Sequence, residues 1–163
     1  MASEKARLRR YENDLYVSGT GVIVMGAWGI MKMIIQLLLG ADNIFKTIEA
    51  ETELERNMAL GLAFIMFTVI VLIIMLIHLY IGLNAARAAR GRPYKKGYYI
   101  GAIILLVLSV LSMPMYRESL KDLSNIDTTG ASILVDLTTI YVFYSVIRST
   151  NEIKKLKKKL SGE

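Results

Sequence analysis

Residues 130–147 read GASILVDLTTIYVFYSVI. The run is apolar enough for a bilayer, yet Asp136 sits inside it. A charged side chain at bilayer depth costs about 2.5–3.5 kcal/mol on insertion scales, so it calls for a partner. Ser132, Asp136 and Thr139, with Thr129 just before them, recur at 3–4 spacing and form one polar stripe on a helix. That stripe should face protein.

Three further apolar runs surround this one in the sequence, at about 15–40, 58–83 and 98–115. A bilayer core takes about 20 residues of helix. The apolar fraction is 54% and the mean hydropathy +0.44 over 163 residues, which leaves too few polar faces for a water-soluble fold of this length. The expected fold class is all-α: a polytopic membrane protein, an antiparallel four-transmembrane-helix bundle. Its expected parts are a basic cytoplasmic lead (1–14), a four-helix transmembrane domain (15–147) and a basic cytoplasmic tail (148–163). The first run is too long for a signal-peptide core and lacks an A-x-A-like site, so it reads as a retained span.

The ends of the second helix are marked. Thr52-Glu-Leu-Glu55 matches a capping box and predicts a helix start near Glu53. Gly91 followed by Pro93 predicts its stop. Pro114 should end or bend the third helix.

Charge gives the orientation. The lead carries Lys5, Arg7, Arg9 and Arg10; the middle loop carries Arg87, Arg90, Arg92, Lys95 and Lys96; the tail carries Arg148, Lys154, Lys155, Lys157, Lys158 and Lys159. The other two loops are acidic. Basic loops stay inside, which predicts both termini in the cytoplasm, N-in/C-in, of a cell bounded by a plasma (inner) membrane. Tyr16, Tyr80, Tyr98, Tyr99 and Tyr144 fall toward the same ends, as interfacial aromatics do.

Two candidate sites follow. Lys32 in the first run and Asp136 in the fourth lie at similar depths, roughly 12 Å and 9 Å from the outer helix ends at helical rise. With Gln36, Ser132 and Thr139 they form an intramembrane polar site, either for an ion, proton or solute, or a structural lock between helices; Lys32 could instead snorkel. Gly21, Met25, Trp28, Gly29, Lys32 and Gln36 share a face expected to point at protein. The second site is the cytoplasmic set Arg87, Arg90, Arg92, Lys95, Lys96, Lys154, Lys155, Lys157, Lys158 and Lys159. It suits anionic lipid headgroups at about 1 kcal/mol per basic residue or an acidic partner, and Ile153, Leu156 and Leu160 could lay the tail on the membrane. Nucleic acid is not the expected partner, since topology accounts for the charge.

Other features carry less. His78 is the single histidine and has no ligand spaced for it. Glu49, Glu51, Glu53 and Glu55 alternate but match no calcium loop. There are no cysteines, no G-x-S-x-G elbow, no HExxH and no P-loop lysine. No catalytic residue, cofactor site or metal site is expected. The leading functional expectation is a non-enzymatic assembly or regulatory subunit, with the lipid bilayer, a second copy of the chain or a membrane-complex partner as its contacts. The alternative is a small oligomeric channel or transporter built on Lys32 and Asp136. Self-association would use the glycines of the first helix or the Ala59/Ala63 edge of the second.

Overall fold

The chain has two prolines, and the described helices leave both out of their α-helical stretches. A computed structural model describes residues 2–47, 52–115 and 126–161. Among them are four α-helices: α1 (Ala2–Thr47), α2 (Glu53–Ala89), α3 (Gly97–Ser112) and α4 (Ile126–Ser161). A 3-10 turn, Met113–Met115, follows α3. The protein is all-α. Three helices are long and apolar enough to cross a membrane, in their parts Ser3–Ile35, Glu53–Ala89 and Ser132–Ser161; Gly97–Ser112 is apolar but shorter.

The helix ends follow local chemistry. The Glu55 amide donates to Thr52 Oγ1 at 3.2 Å, so the hydroxyl half of the capping box is in place and α2 starts at Glu53. At its other end the Arg92 amide donates to the Arg87 carbonyl at 2.9 Å and the Gly91 amide to the Ala88 carbonyl at 3.2 Å. Those two bonds are a Schellman cap, which needs a left-handed residue, and Gly91 has φ +66°. α3 stops at Ser112, before the expected Met115, because Pro114 cannot donate a helical hydrogen bond and the chain tightens into a 3-10 turn.

The outer helices are longer than the apolar runs within them. α1 takes in the polar lead, since Ala2 to Asp14 are mostly strong helix formers with Glu4 in the first turn. α4 runs without a break from the apolar run into the lysine-rich tail, ending with Lys158 and Lys159 in its last turn, where cations are favoured.

Contacts divide the chain into two units. The first comprises Met1–Met25 and Leu79–Glu163. Its core is Leu15 and Val22 from α1, Ile81, Ala85, Ala88 and Ala89 from α2, Tyr98 and Ala102 from α3, and Phe143, Val146 and Ile153 from α4. Small residues let α1 and α2 touch backbone to backbone. A Cβ added at Gly19 would stand 3.0 Å from Ala85 Cβ, and one at Gly82 would stand 2.5 Å from the Gly19 carbonyl oxygen. Two buried or half-buried hydroxyl contacts tie α4 in, and a third lies within it. Ser18 Oγ donates to Ser145 Oγ at 2.7 Å, Tyr98 Oη and Thr150 Oγ1 are 3.0 Å apart, and Thr150 Oγ1 donates to the Val146 carbonyl at 2.7 Å.

The second unit is Gly26–His78. Gly26 packs on His78, whose Cβ would lie 2.6 Å from a Cβ at Gly26. The His78 Nδ1–H donates to the Ile74 carbonyl at 2.8 Å. Along α2 here, Leu62, Phe64, Ile65, Met66, Val69 and Ile73 are exposed. A helix apolar on every side fits hydrocarbon, where such exposure has no hydrophobic cost.

Candidate functional site

Among the described residues of the first unit, the basic side chains gather at one end. The Schellman cap turns the chain out of α2, with Arg87 in the last helical turn and Arg90 and Arg92 just beyond it. Asn84 fixes the exit: its Nδ2 donates to the Tyr80 carbonyl at 2.7 Å, and its Oδ1 accepts the Lys95 amide at 2.9 Å. Asn84 is buried, so both bonds are shielded from water. Lys95 and Lys96 sit exposed in the loop that follows.

Between α1 and α2 lies a groove of about 250 Å³, with Tyr16, Thr20, Ile23, Leu83 and Ala86 along it and Arg87, Arg90 and Arg92 at its edge. The Arg90 guanidinium lies 4.1 Å from the Tyr16 ring centroid, a cation–π contact that holds it over the groove. An apolar floor under a guanidinium rim is the arrangement that takes a phosphate head and an acyl chain together.

The tail's lysines are divided between roles. Lys154 Nζ stands 4.7 Å over the Tyr99 ring. Lys155 pairs with Glu152 at 3.3 Å, Lys157 with Glu12 at 3.5 Å, and Lys159 with Glu4. The Lys159 hydrogen bond holds the Glu4 carboxyl below its ordinary value, against a smaller opposing push from burial. Lys158 is exposed. The tail's apolar stripe is turned inward: Ile153 and Leu156 are buried, with Leu8 and Tyr11 of α1 packed against the same core. The expectation that this stripe lies on a membrane surface therefore gives way to an intramolecular seam between α4 and α1.

A second recess opens between α1 and α4, of about 420 Å³, lined by Arg10, Tyr11, Asp14, Val17, Ser18, Tyr141, Ser145, Arg148 and Ser149. The Ser18–Ser145 hydrogen bond forms its floor. Among the described residues, the ion pairs at this end are Glu4–Lys159, Glu12–Lys157 and Glu152–Lys155, and none of them uses Arg10, Asp14 or Arg148.

The intramembrane residues divide between the two units. Lys32 is half-buried in the Gly26–His78 unit, and neither it nor Asp136 is without a partner. Asp136, Ser132 and Thr139 are half-buried on α4 in the first unit, with Thr139 Oγ1 donating to the Val135 carbonyl at 2.9 Å. The Gln36 side chain lies outside the described residues, as do Glu49 and Glu51 of the acidic loop. The face of α1 expected to point at protein does so only in part: Gly21 packs on Val142 of α4, 3.3 Å from a Cβ built there. Trp28 is 46% exposed and nothing lies within 4 Å of a Cβ at Gly29, whereas Leu15, Ser18, Gly19, Val22 and Gly26 are the buried positions. Within the first unit the backbone contact at Gly19 and Gly82 sets which face α1 buries. It also occupies Gly19 within the chain, while Ala63 on α2 remains exposed.

Sequence reasoning passed over Asn84, Ser18, Ser145 and Arg148 as site residues. Only Asn84 carried a local signal, a short amide in a run of helix formers eleven residues before Lys95 and its neighbouring glycine-proline turn. No family model, no curated protein and no solved structure matches this chain.

Proposed function

We propose that this chain is a non-enzymatic integral membrane protein, an assembly or regulatory subunit whose basic cytoplasmic end docks anionic lipid. The observation that carries the reading is the α1–α2 groove, with three arginines over an apolar floor and one of them stacked on Tyr16. In this reading the four helices form an antiparallel bundle with both termini in the cytoplasm. Three contacts support that course for α1 and α4: Glu4 with Lys159, Glu12 with Lys157, and Ser18 with Ser145, rising numbers meeting falling ones. α3 serves as the fourth crossing. Its 16 residues and the three of the 3-10 turn give about 24 Å and about 6 Å, close to a hydrocarbon core of about 30 Å. A reporter placed after Glu49 that reads cytoplasmic overturns the orientation.

The lipid reading is tested in proteoliposomes with spin-labelled phosphatidylglycerol against phosphatidylcholine. Three interfacial charges at about 1 kcal/mol each give an enrichment on the order of a hundredfold at low salt, falling as salt rises. Replacing Arg87, Arg90 and Arg92 with Gln should remove most of it. Equal association of both lipids with the native chain sinks the reading.

A channel or transporter using Lys32 and Asp136 is the second reading, favoured by both ionisable groups being half-buried on apolar helices. It requires flux through pure protein in liposomes that Asp136→Asn abolishes while assembly stays normal. No flux at any pH excludes it.

A further inference from the structure

The recess between α1 and α4 has a charge pattern that the anionic-lipid reading does not use. Arg10 and Asp14 are one helical turn apart on α1, and Arg148 faces them from α4. The hydroxyls of Ser18 and Ser145 close the floor, 2.7 Å from each other. Since Ser18 donates to Ser145, the Ser145 proton is left to be donated into the recess. Two guanidinium groups, donor hydroxyls and one carboxylate match a ligand that carries a phosphodiester and, a few bonds away, an ammonium. The guanidinium groups and Ser145 suit the phosphate oxygens, and Asp14 suits the ammonium.

The recess also has the right height and the right opening. Arg10 and Ser18 are eight residues apart, roughly 12 Å along the helix, so it spans the step from headgroup to hydrocarbon. Its inner lip is Val17, 59% exposed, and Tyr141, 67% exposed. Val24, and Leu134 with Leu137, continue those exposed faces by helical spacing along α1 and α4. Acyl chains therefore have an apolar track leading away from the charged end.

We propose that this recess is a binding site for the phosphoethanolamine headgroup of a membrane phospholipid, with Arg10 and Arg148 holding the phosphate and Asp14 accepting the ammonium hydrogens. The site needs the chain to cross a bilayer. It does not need the arginine groove between α1 and α2 to bind lipid.

The test is native mass spectrometry of the full chain taken from nanodiscs that contain equal amounts of phosphatidylethanolamine, its N-monomethyl and N,N-dimethyl forms, and phosphatidylcholine. The series removes N–H donors one at a time from an otherwise identical lipid, so the native protein itself supplies the answer. Retained lipid should fall along the series, about tenfold in all, with the last step the largest because it removes the last donor to Asp14. A flat series overturns the site. Asp14→Asn should flatten the series, and a series that stays graded in that variant overturns the assignment of Asp14. Arg10→Gln with Arg148→Gln should lower all four lipids alike. Replacing Arg87, Arg90 and Arg92 with Gln should leave the series unchanged, which separates this site from the anionic-lipid groove. Soluble phosphoethanolamine at millimolar concentration should not displace the bound lipid; displacement would make the ligand a free solute and overturn the lipid assignment.

Discussion

Replacing Gly82 with Ala tests the α1–α2 contact at its closest point. The new Cβ would stand 2.5 Å from both the Gly19 carbonyl oxygen and Ile23 Cγ1, whereas ordinary contacts begin near 3.4 Å. Ile23 can turn aside, but the Gly19 carbonyl belongs to a helix backbone and cannot. The helices must part by about 0.9 Å at the crossing, and a gap of that size forfeits a quarter to a half of each dispersion well of about 0.1–0.2 kcal/mol. With about twenty atom pairs around Gly19, Ile23, Ala85 and Ala86, that is about 0.5–2 kcal/mol, and strain of about 1–1.5 kcal/mol brings the total to about 2–3 kcal/mol. Alanine returns up to about 1 kcal/mol of helix propensity. The net loss is about 1–2 kcal/mol. Gly61→Ala is the matched control, on the same helix with nothing within 4 Å of the new Cβ, and should be neutral or stabilising by up to about 1 kcal/mol. Both variants are compared with the native chain by SDS titration in mixed micelles, following helical circular dichroism. If Gly82→Ala is as stable as Gly61→Ala, the helices do not touch at this crossing.

Three other outcomes follow from the structure. Asn84→Ala leaves the Lys95 amide without its acceptor and should cost about 1–3 kcal/mol, visible as faster hydrogen exchange at Lys95 and earlier protease cleavage in the 92–96 loop. Thr150→Val removes a buried partner of Tyr98 and should cost about 1–2 kcal/mol in the same SDS titration, with Tyr98→Phe costing no more, since it removes one side of the same bond. The Glu4 carboxyl is held below its ordinary value by Lys159, so this pair stabilises the α1–α4 seam above the ordinary carboxylate range and the contribution is lost as pH falls through the lowered value. The protection factors of residues 156–161, with the intrinsic pH dependence of amide exchange divided out, should therefore fall on acidification below that range, and Glu4→Gln should remove that change.

What could be read from the sequence was what adjacent residues decide. Thr52, Glu55, Gly91 and Pro114 act on amides within a few positions, so the ends of α2 and the end of α3 were legible. The apolar runs were legible because composition alone makes them so. The face that α1 buries was not, because helical spacing allows several stripes and the choice fell to Gly82, more than fifty residues away. The tail was misread for the same reason: Ile153 and Leu156 look like a membrane-lying stripe until Leu8, Tyr11 and Leu15 supply the opposite wall. Arg10, Asp14 and Arg148 each looked like ordinary interfacial charges; only the meeting of α1 with α4 gathers them.

The pairing of Glu4 and Glu12 with Lys159 and Lys157 has a bearing on biogenesis. α1 leaves the ribosome ahead of α4, so its Glu4 and Glu12 carboxylates and the apolar seam beside them wait for lysines not yet made. Its mate is translated after α2 and α3, so the nascent protein stays visibly unfinished at that seam until α4 emerges. A chain cut short before Glu152 would lack Ile153, Leu156, Lys157 and Lys159 and leave Glu4, Leu8 and Glu12 without that wall, a lasting mark by which membrane proteases could tell truncated copies from intact ones.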